Sequence, residues 1–140
     1  MKAKDYLRRL KKLDKMIENK LAEKQHWKEI ATGTTQTMSL DRVQSSGNQQ
    51  KMADAVGRYM DIENEIDRRV DKLIDARNEL IEVIEQLDAT EYDILHKVYV
   101  QYWTMQDVAN AMDKSYSWVT TVHGRALQRV QTIIDRNGIV

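Results

Sequence analysis

Four residues in the last third of the chain have the spacing of a helix-turn-helix. Counted from Ala109, Asp113 lies four residues further along, Val119 ten and Val122 thirteen. This motif needs a small residue where its two helices cross, a tight turn, and an aliphatic residue that anchors the second helix. Asp113 takes the usual place of glycine in the turn, since aspartate can adopt the left-handed backbone conformation. The spacing predicts a helix-turn-helix, whose second helix typically enters the major groove of DNA.

The helix that begins near Ser115 has a polar face opposite its apolar face. If Val119, Val122 and Ala126 point inward, the 100° step of a helix places small polar residues outward. Serine and threonine can bond to several base edges, and threonine can also contact the methyl group of thymine. The predicted DNA-binding residues are Lys114, Tyr116, Ser117, Thr120, Thr121, Gly124, Arg125, Gln128 and Arg129.

These candidates have different expected roles. Arg125 can address guanine or phosphate, while Lys114, Arg129 and also Arg136 are phosphate candidates. Trp118 is better explained by packing, and Tyr116 is open to the same interpretation. Gly124 costs about 1 kcal/mol in a helix interior relative to alanine. Either a close approach to DNA or a kink in the helix would explain it.

Other chemistry is not indicated. The chain has no cysteine, which excludes disulfides, cysteine-ligated zinc and a thiol nucleophile. His26, His96 and His123 are scattered and lack the spacing of metal ligands. His123 lies next to the inward row and is expected to be a satisfied interhelical histidine. We therefore predict no enzyme activity, no cofactor and no metal.

Long helices must position this motif. The 140 residues include no proline and only five glycines, which favours an all-α fold. A first helix is predicted from Ala3 to Ala31, and a connecting loop at about 33–48. The second helix has apolar residues at alternating steps of four and three from Met52 to Leu87, which is a heptad seam. The predicted domains are an antiparallel coiled-coil hairpin, 1–88, and a small three-helix helix-turn-helix domain, 89–140.

The C-terminal domain has signals for three helix starts, at Thr90, at Thr104 and at either Ser115 or Ser117. The first of these helices is expected to end near Trp103. The end of the long second helix is apolar on more than one face, which a single partner helix cannot cover. The surplus predicts a further contact, either with the C-terminal region or with a second copy of the chain.

The net charge of zero is a sum of unlike segments. Residues 1–32 have ten Lys/Arg and five Asp/Glu, residues 33–90 have seven and twelve, and residues 91–140 have five of each. The basic first helix could pair with the acidic second helix, or it could contact phosphates. Four phosphate contacts near the motif would give a log-affinity against log-salt slope of only about −3.6. We therefore expect that dimerisation, the basic hairpin or RNA polymerase increases the affinity for DNA.

In the segment from Leu87 to Val130, a wider set of residues has the types and spacing of a known family motif. These are Glu91, Leu95, Tyr99, Thr104, Val108, Ala109, Met112, Ser115, Val119, Val122, Arg125, Ala126 and Leu127. With them the segment resembles region 4 of bacterial sigma factors, and the whole chain is similar to phage late transcription regulators of the ArpU and RinA type. It departs from the sigma pattern at Asp113, and at Tyr116, Trp118 and Thr120, where the sigma reading helix is rich in arginine.

The resemblance implies a sequence-specific DNA-binding transcription regulator encoded by a phage. Its expected partners are double-stranded DNA, host RNA polymerase and further copies of itself, in the cytoplasm of a bacterial host without membrane contact. Two alternatives remain open. One is a DNA-recognition protein for phage packaging, similar to small terminase subunits, and the other is a structural coiled-coil interaction protein.

Overall fold

A computed structural model of the protein describes residues 1–33 and 46–139, and within them the fold is all-helical. This confirms the predicted fold class. The helices are α1 (Ala3–Thr32), α2 (Ser46–Ile84), α3 (Ala89–Leu95), α4 (Met105–Met112) and α5 (Tyr116–Asn137). A π-helical turn, His96–Val100, follows α3 directly. The loop predicted at about 33–48 lies mostly outside the described residues. The helix α2 begins at Ser46, slightly before the residue at which this loop was expected to end.

The chain divides into two compact units. The large unit comprises Met1–Leu13 and Leu73–Val140, and the hairpin unit comprises Asp14–Lys72. The division predicted at residue 88 stays a prediction.

The large unit has one main hydrophobic core, to which both ends of the chain contribute. The start of α1 and the end of α2 pack there against α3, the π-helical turn and α5. Its fully buried members include Tyr6, Leu10, Leu80, Ile84, Leu95, Ala126, Val130 and Ile134. The surplus apolar face at the end of α2 is therefore covered by the C-terminal helices, which was one of the two contacts expected from the sequence.

In the hairpin unit, α1 and α2 run antiparallel, as the order of their ion pairs shows. Lys20 Nζ lies 3.5 Å from Glu65 Oε2, and Lys24 Nζ lies 3.4 Å from Glu63 Oε1. The predicted heptad seam fails at Val56, which is 44% exposed. The neighbouring Ala55 is fully buried instead, so the buried face of α2 is rotated by about one residue at this end.

The segment between α3 and α4 differs from the sequence prediction. Asp88, rather than Thr90, is the N-cap of α3, and its side chain accepts a hydrogen bond from the Glu91 backbone N–H. The α-helix ends at Leu95 and the π-helical turn continues it to Val100, short of the expected end near Trp103. A 3.0 Å bond from Gln101 N to His96 O closes this wider turn.

Candidate nucleic-acid interface

The two helices of the predicted helix-turn-helix are α4 and α5, and each has a defined start. The Thr104 side chain and the Asp107 backbone and side chain form a reciprocal capping box at the start of α4. The Ser115 side chain accepts a 3.0 Å hydrogen bond from Trp118 N at the start of α5. Both starts were predicted from the sequence and are confirmed.

The turn between α4 and α5 depends on a left-handed residue. Asp113 has φ 55° and ψ 47°, which is the left-handed conformation. The sequence predicted this conformation for Asp113, which takes the place of the usual turn glycine. The next backbone N–H, of Lys114, donates to Ala109 O at 3.0 Å. This pattern of a left-handed residue followed by a bond back to the last turn ends α4 and redirects the chain into α5.

A small second core holds α3, α4 and α5 together. Ile94, Val108, Ala109, Val119 and Val122 are buried in it, with Met105, Met112, Trp103 and Trp118 packed around them. The inward positions predicted from the helix-turn-helix spacing are therefore confirmed. Because this core fixes one face of α5, the orientation of its opposite face is also fixed.

The nine predicted DNA-binding residues all belong to α5 or to the turn before it. Seven are exposed, namely Lys114, Tyr116, Ser117, Thr121, Arg125, Gln128 and Arg129. Thr120 and Gly124 are half-buried. The structure thus places the whole set together, on a surface that the protein does not cover within its described residues.

The two threonines are oriented by the helix itself. The hydroxyl groups of Thr120 and Thr121 donate to the Ser117 carbonyl at 3.0 and 2.9 Å. A hydroxyl that donates to the backbone keeps lone pairs that can accept a hydrogen bond. Both side chains are therefore suited to accept from a base amino group, such as that of adenine or cytosine.

A buried carboxylate holds the two arginines of the predicted set. Glu91 on α3 is completely buried, and its two carboxylate oxygens accept from Arg125 Nε at 3.2 Å and Arg129 Nη1 at 3.0 Å. Both arginine side chains remain 53% exposed and keep further N–H donors. Glu91 therefore fixes the position of both guanidinium groups at the edge of the exposed face.

Sequence reasoning did not assign this role to Glu91. The available signals were its position three residues after the Asp88 cap and the four-residue spacing of Arg125 and Arg129 on one helix face.

The hydrogen bond from the Glu91 backbone N–H lowers the pKa of Asp88, and the nearby Arg129 charge lowers it further.

His123 is a buried, hydrogen-bonded histidine, as expected from its place beside the inward row. Its Nε2 lies 2.7 Å from the Tyr99 hydroxyl, and the two rings are stacked with centroids 5.6 Å apart. Burial lowers the pKa of His123 to about 4, and the positive charges of Lys4 and Arg8 add to this effect. The ring is therefore neutral at physiological pH and contributes no charge to the surface.

Gly124 has no partner within the described protein that would explain the missing side chain. A Cβ atom built on Gly124 would meet nothing within 4 Å. The α-helix runs through this position without interruption, from Tyr116 to Asn137. Glycine is therefore not required here by the packing of α5 on its neighbours.

The aromatic residues near the start of α5 differ in exposure. Trp118 is half-buried against the second core, as predicted, and Lys114 Nζ lies 5.2 Å from the centre of its ring. Tyr116 is 53% exposed, so it is available for contact with a ligand.

Among the described residues, the structure shows neither a metal-binding cluster nor a membrane-spanning helix. Between residues 1–33 and 46–139, no group of three His, Cys, Asp or Glu side chains could hold a metal ion. In the same ranges, no helix combines the length and the apolar character needed to cross a membrane.

In a comparison with protein families, residues 83–132 match the family model described as Sigma-70, region 4. The match covers about a third of the chain and includes α3, α4 and most of α5. It indicates a DNA-binding helix-turn-helix of the kind used in transcription. No curated protein and no solved structure matches the chain significantly.

Proposed function

We propose that the protein is a sequence-specific transcription regulator that binds double-stranded promoter DNA with the helix α5. In this proposal α5 enters the major groove, with Ser117, Thr120, Thr121 and Gln128 facing base edges. Arg125 contacts guanine or phosphate, and the remaining cations contact the backbone.

The observation that carries this proposal is the exposed face of α5. It combines small polar side chains, a glycine without packing partners and two arginines held by one buried carboxylate. No acidic residue belongs to the nine-residue set. Its three cations, Lys114, Arg125 and Arg129, can contact phosphates, and the carboxylates of Glu91 and Asp88 offset part of the charge of the two arginines.

The biological setting is part of the same proposal. The resemblance to phage late regulators suggests a phage gene product that acts in the bacterial cytoplasm. Host RNA polymerase and a second copy of the chain are the proposed partners, since the cations of α5 alone give weak binding. The proposal includes no catalytic activity and no cofactor.

The test begins with selection of bound duplexes from a random-sequence DNA library by the full chain. Affinities for the selected duplex and for a scrambled duplex are then compared for wild type, Thr120→Ala, Thr121→Ala and Arg125→Ala. Each variant is expected to lose about 1–3 kcal/mol of discrimination at the base it contacts, which is roughly 5- to 150-fold.

Thr132→Ala is the matched control for the threonine variants. Thr132 also donates to a helix carbonyl, that of Gln128 at 3.2 Å, and is also exposed. It lies about 16 Å along α5 from Thr121, and one helical turn beyond Gln128, the last residue proposed to face a base edge. If the library yields no preferred sequence, even with RNA polymerase present, the proposal is wrong.

A second candidate function is protein interaction through the hairpin unit. Leu21, Val56 and Met60 are large apolar side chains left 44–57% exposed there. Such residues favour self-association or docking when they form a contiguous patch. Light scattering distinguishes the possibilities, since a dimer fits a regulator and a ring-shaped oligomer would favour the packaging alternative.

A further inference from the structure

Two sets of basic residues in α1 have different surroundings. One set pairs with carboxylates of α2: Arg9 with Glu79 at 2.7 Å in the large unit, and Lys20 and Lys24 with acids in the hairpin unit. The other set is Lys4, Arg8 and Lys11. Within residues 1–33 and 46–139, none of these three cations forms an ion pair.

Lys4, Arg8 and Lys11, hereafter the basic row, lie on one face of α1. Their spacing of four and three residues keeps them within about 60° around the helix axis. All three side chains are exposed. Charge pairing with α2 therefore explains only part of the basic character of α1, and the basic row needs another explanation.

The basic row lines a cleft that α5 also lines. The cleft has a volume of about 490 Å³, and its wall includes Tyr116 and Thr120 from the proposed DNA-binding face. No carboxylate is among the described residues that line it. Lys11 Nζ lies 6.0 Å from the centre of the Tyr102 ring on another wall. A cleft with three cations and no acid is suited to an anionic ligand.

The start of α1 is anchored to α5, so the basic row has a fixed position beside it. Ala3 N donates to Gln131 Oε1 at 2.7 Å, and Gln131 Nε2 donates to Met1 O at 3.0 Å. Tyr6 and Leu7 are fully buried in the core that also holds Ala126 and Val130. The charge of Lys4 and Arg8 also reaches α5, where it contributes to the lowered pKa of His123.

We infer that Lys4, Arg8 and Lys11 bind consecutive phosphates of the DNA strand that runs beside α5. This inference rests on the proposed function and identifies the source of the affinity that α5 lacks. From Lys4 to Lys11 the helix rises about 10 Å. Three consecutive phosphates of one strand of B-DNA span two steps of about 3.4 Å along the axis, so the basic row is long enough to place one cation near each of them.

The inference has a quantitative consequence for salt dependence. Each neutralised phosphate contributes about −0.9 to the slope of log affinity against log salt. Three additional contacts would steepen the slope from about −3.6 to about −6.3. Between 50 and 200 mM salt, wild-type affinity would then fall about 40-fold more than that of a protein without the basic row.

The experiment compares the full-length wild type with the triple variant Lys4→Gln, Arg8→Gln and Lys11→Gln. Binding to the selected duplex and to a scrambled duplex is measured by fluorescence anisotropy at several salt concentrations. The triple variant is expected to have a shallower slope, by about 2.7, on both duplexes. The ratio between the two affinities is expected to stay unchanged, because phosphate contacts carry no sequence information.

Two further variants make the result specific. Lys28→Gln, Lys51→Gln and Arg58→Gln together remove the same charges from exposed positions of the hairpin unit and should keep the wild-type slope. Lys4→Arg, Arg8→Lys and Lys11→Arg keep the charges and should also keep it. An unchanged slope in the first triple variant, with sequence preference intact, overturns this inference alone. Absence of sequence preference in wild type counts instead against the proposed function.

Discussion

The large unit and the hairpin unit are built from the same two long helices, but they bury their apolar residues to different extents. In the large unit, Leu10 of α1 and Leu80 of α2 are each 1% exposed. In the hairpin unit, Leu21 of α1 and Val56 of α2 are 48% and 44% exposed. The apolar periodicity of the sequence continues through both units, so periodicity alone does not determine burial.

The difference follows from the number of neighbours that each helix has. In the large unit, α3, the π-helical turn and α5 provide further apolar surface, and one contiguous core forms. In the hairpin unit, two helices cover only one stripe of each other, and half-exposed ion pairs such as Lys20–Glu65 flank the contact. Equivalent substitutions in the two units should therefore have unequal effects, and four matched pairs test this.

The largest expected contrast is between Leu10→Ala and Leu21→Ala, two identical changes on α1. Removal of the buried Leu10 side chain leaves a cavity and should lower the free energy of unfolding by about 2–5 kcal/mol. Leu21 is already half in water, so its truncation should cost less than about 1 kcal/mol. Urea unfolding of both variants measures the difference. Equal losses would show that the hairpin unit has a core of its own.

The second contrast concerns the histidines of the two units. The folded-state pKa of His123 is about 4, below its ordinary value of 6.5. The neutral His123 ring therefore contributes its full stabilisation of the folded state above about pH 6.5, and this stabilisation is lost as the pH falls towards 4. The loss could reach about 3 kcal/mol at 1.36 kcal/mol per pH unit. His123→Gln should flatten this part of the stability curve.

The exposed His26 of the hairpin unit provides the control for this measurement. His26→Gln removes one histidine from the surface, and unfolding is followed between pH 4 and pH 7 in all three proteins. NMR titration of the His123 ring gives its pKa directly. A value near 6.5 would contradict the role of burial and of the Lys4 and Arg8 charges.

The third contrast is between two glutamates that each form ion pairs with two cationic side chains. Glu91 is fully buried beneath Arg125 and Arg129, whereas the Glu65 side chain, which contacts Arg69 and Lys20, is 32% exposed. Glu91→Gln should cost about 1.5–3 kcal/mol, as expected for buried hydrogen bonds to charged groups. Glu65→Gln should cost at most about 1 kcal/mol, and less at high salt. Thermal unfolding at low and high salt measures both.

Glu91→Gln also affects the proposed interface. Since both arginines keep their charge, binding to scrambled DNA should not weaken. Discrimination in favour of the selected duplex should fall, because the guanidinium groups lose their fixed positions. Glu65→Gln should leave discrimination unchanged. Full discrimination in Glu91→Gln, with the stability loss as expected, would assign Glu91 a role in folding only.

The parts of the fold that were predicted correctly depend on local signals. The Thr104 and Ser115 caps and the left-handed Asp113 need only residues within a few positions, and Val119 and Val122 follow helical periodicity. The exposure of most of the candidate residues could be predicted to the same extent, because the exposed face of α5 is the complement of its buried face. Their contact with DNA stays a prediction.

The parts that were missed depend on residues far apart in the sequence. The π-helical turn contains Tyr99, whose hydroxyl bonds to His123, 24 positions away. Glu91 pairs with arginines 34 and 38 positions away. Local patterns mark Glu91, Arg125 and Arg129 individually, but they do not pair residues so far apart. The exposure of Val56 was missed because the heptad pattern places it on the seam, whereas the buried face of α2 is rotated there and Ala55 is buried instead.

The smallest expected contrast is between two glycines in helix interiors, Gly124 of α5 and Gly57 of α2. At both positions an added Cβ would meet nothing within 4 Å. Gly124→Ala and Gly57→Ala should therefore each stabilise the protein by about 1 kcal/mol, through helix propensity alone.

Their effects on DNA binding should differ, because only Gly124 lies on the proposed interface. If DNA approaches the backbone there, Gly124→Ala should weaken binding to the selected duplex while Gly57→Ala leaves it unchanged. Equal affinity of both variants, with both stabilised, would mean that the groove does not come close to α5 at this turn, and the contact would have to be placed nearer to Ser117.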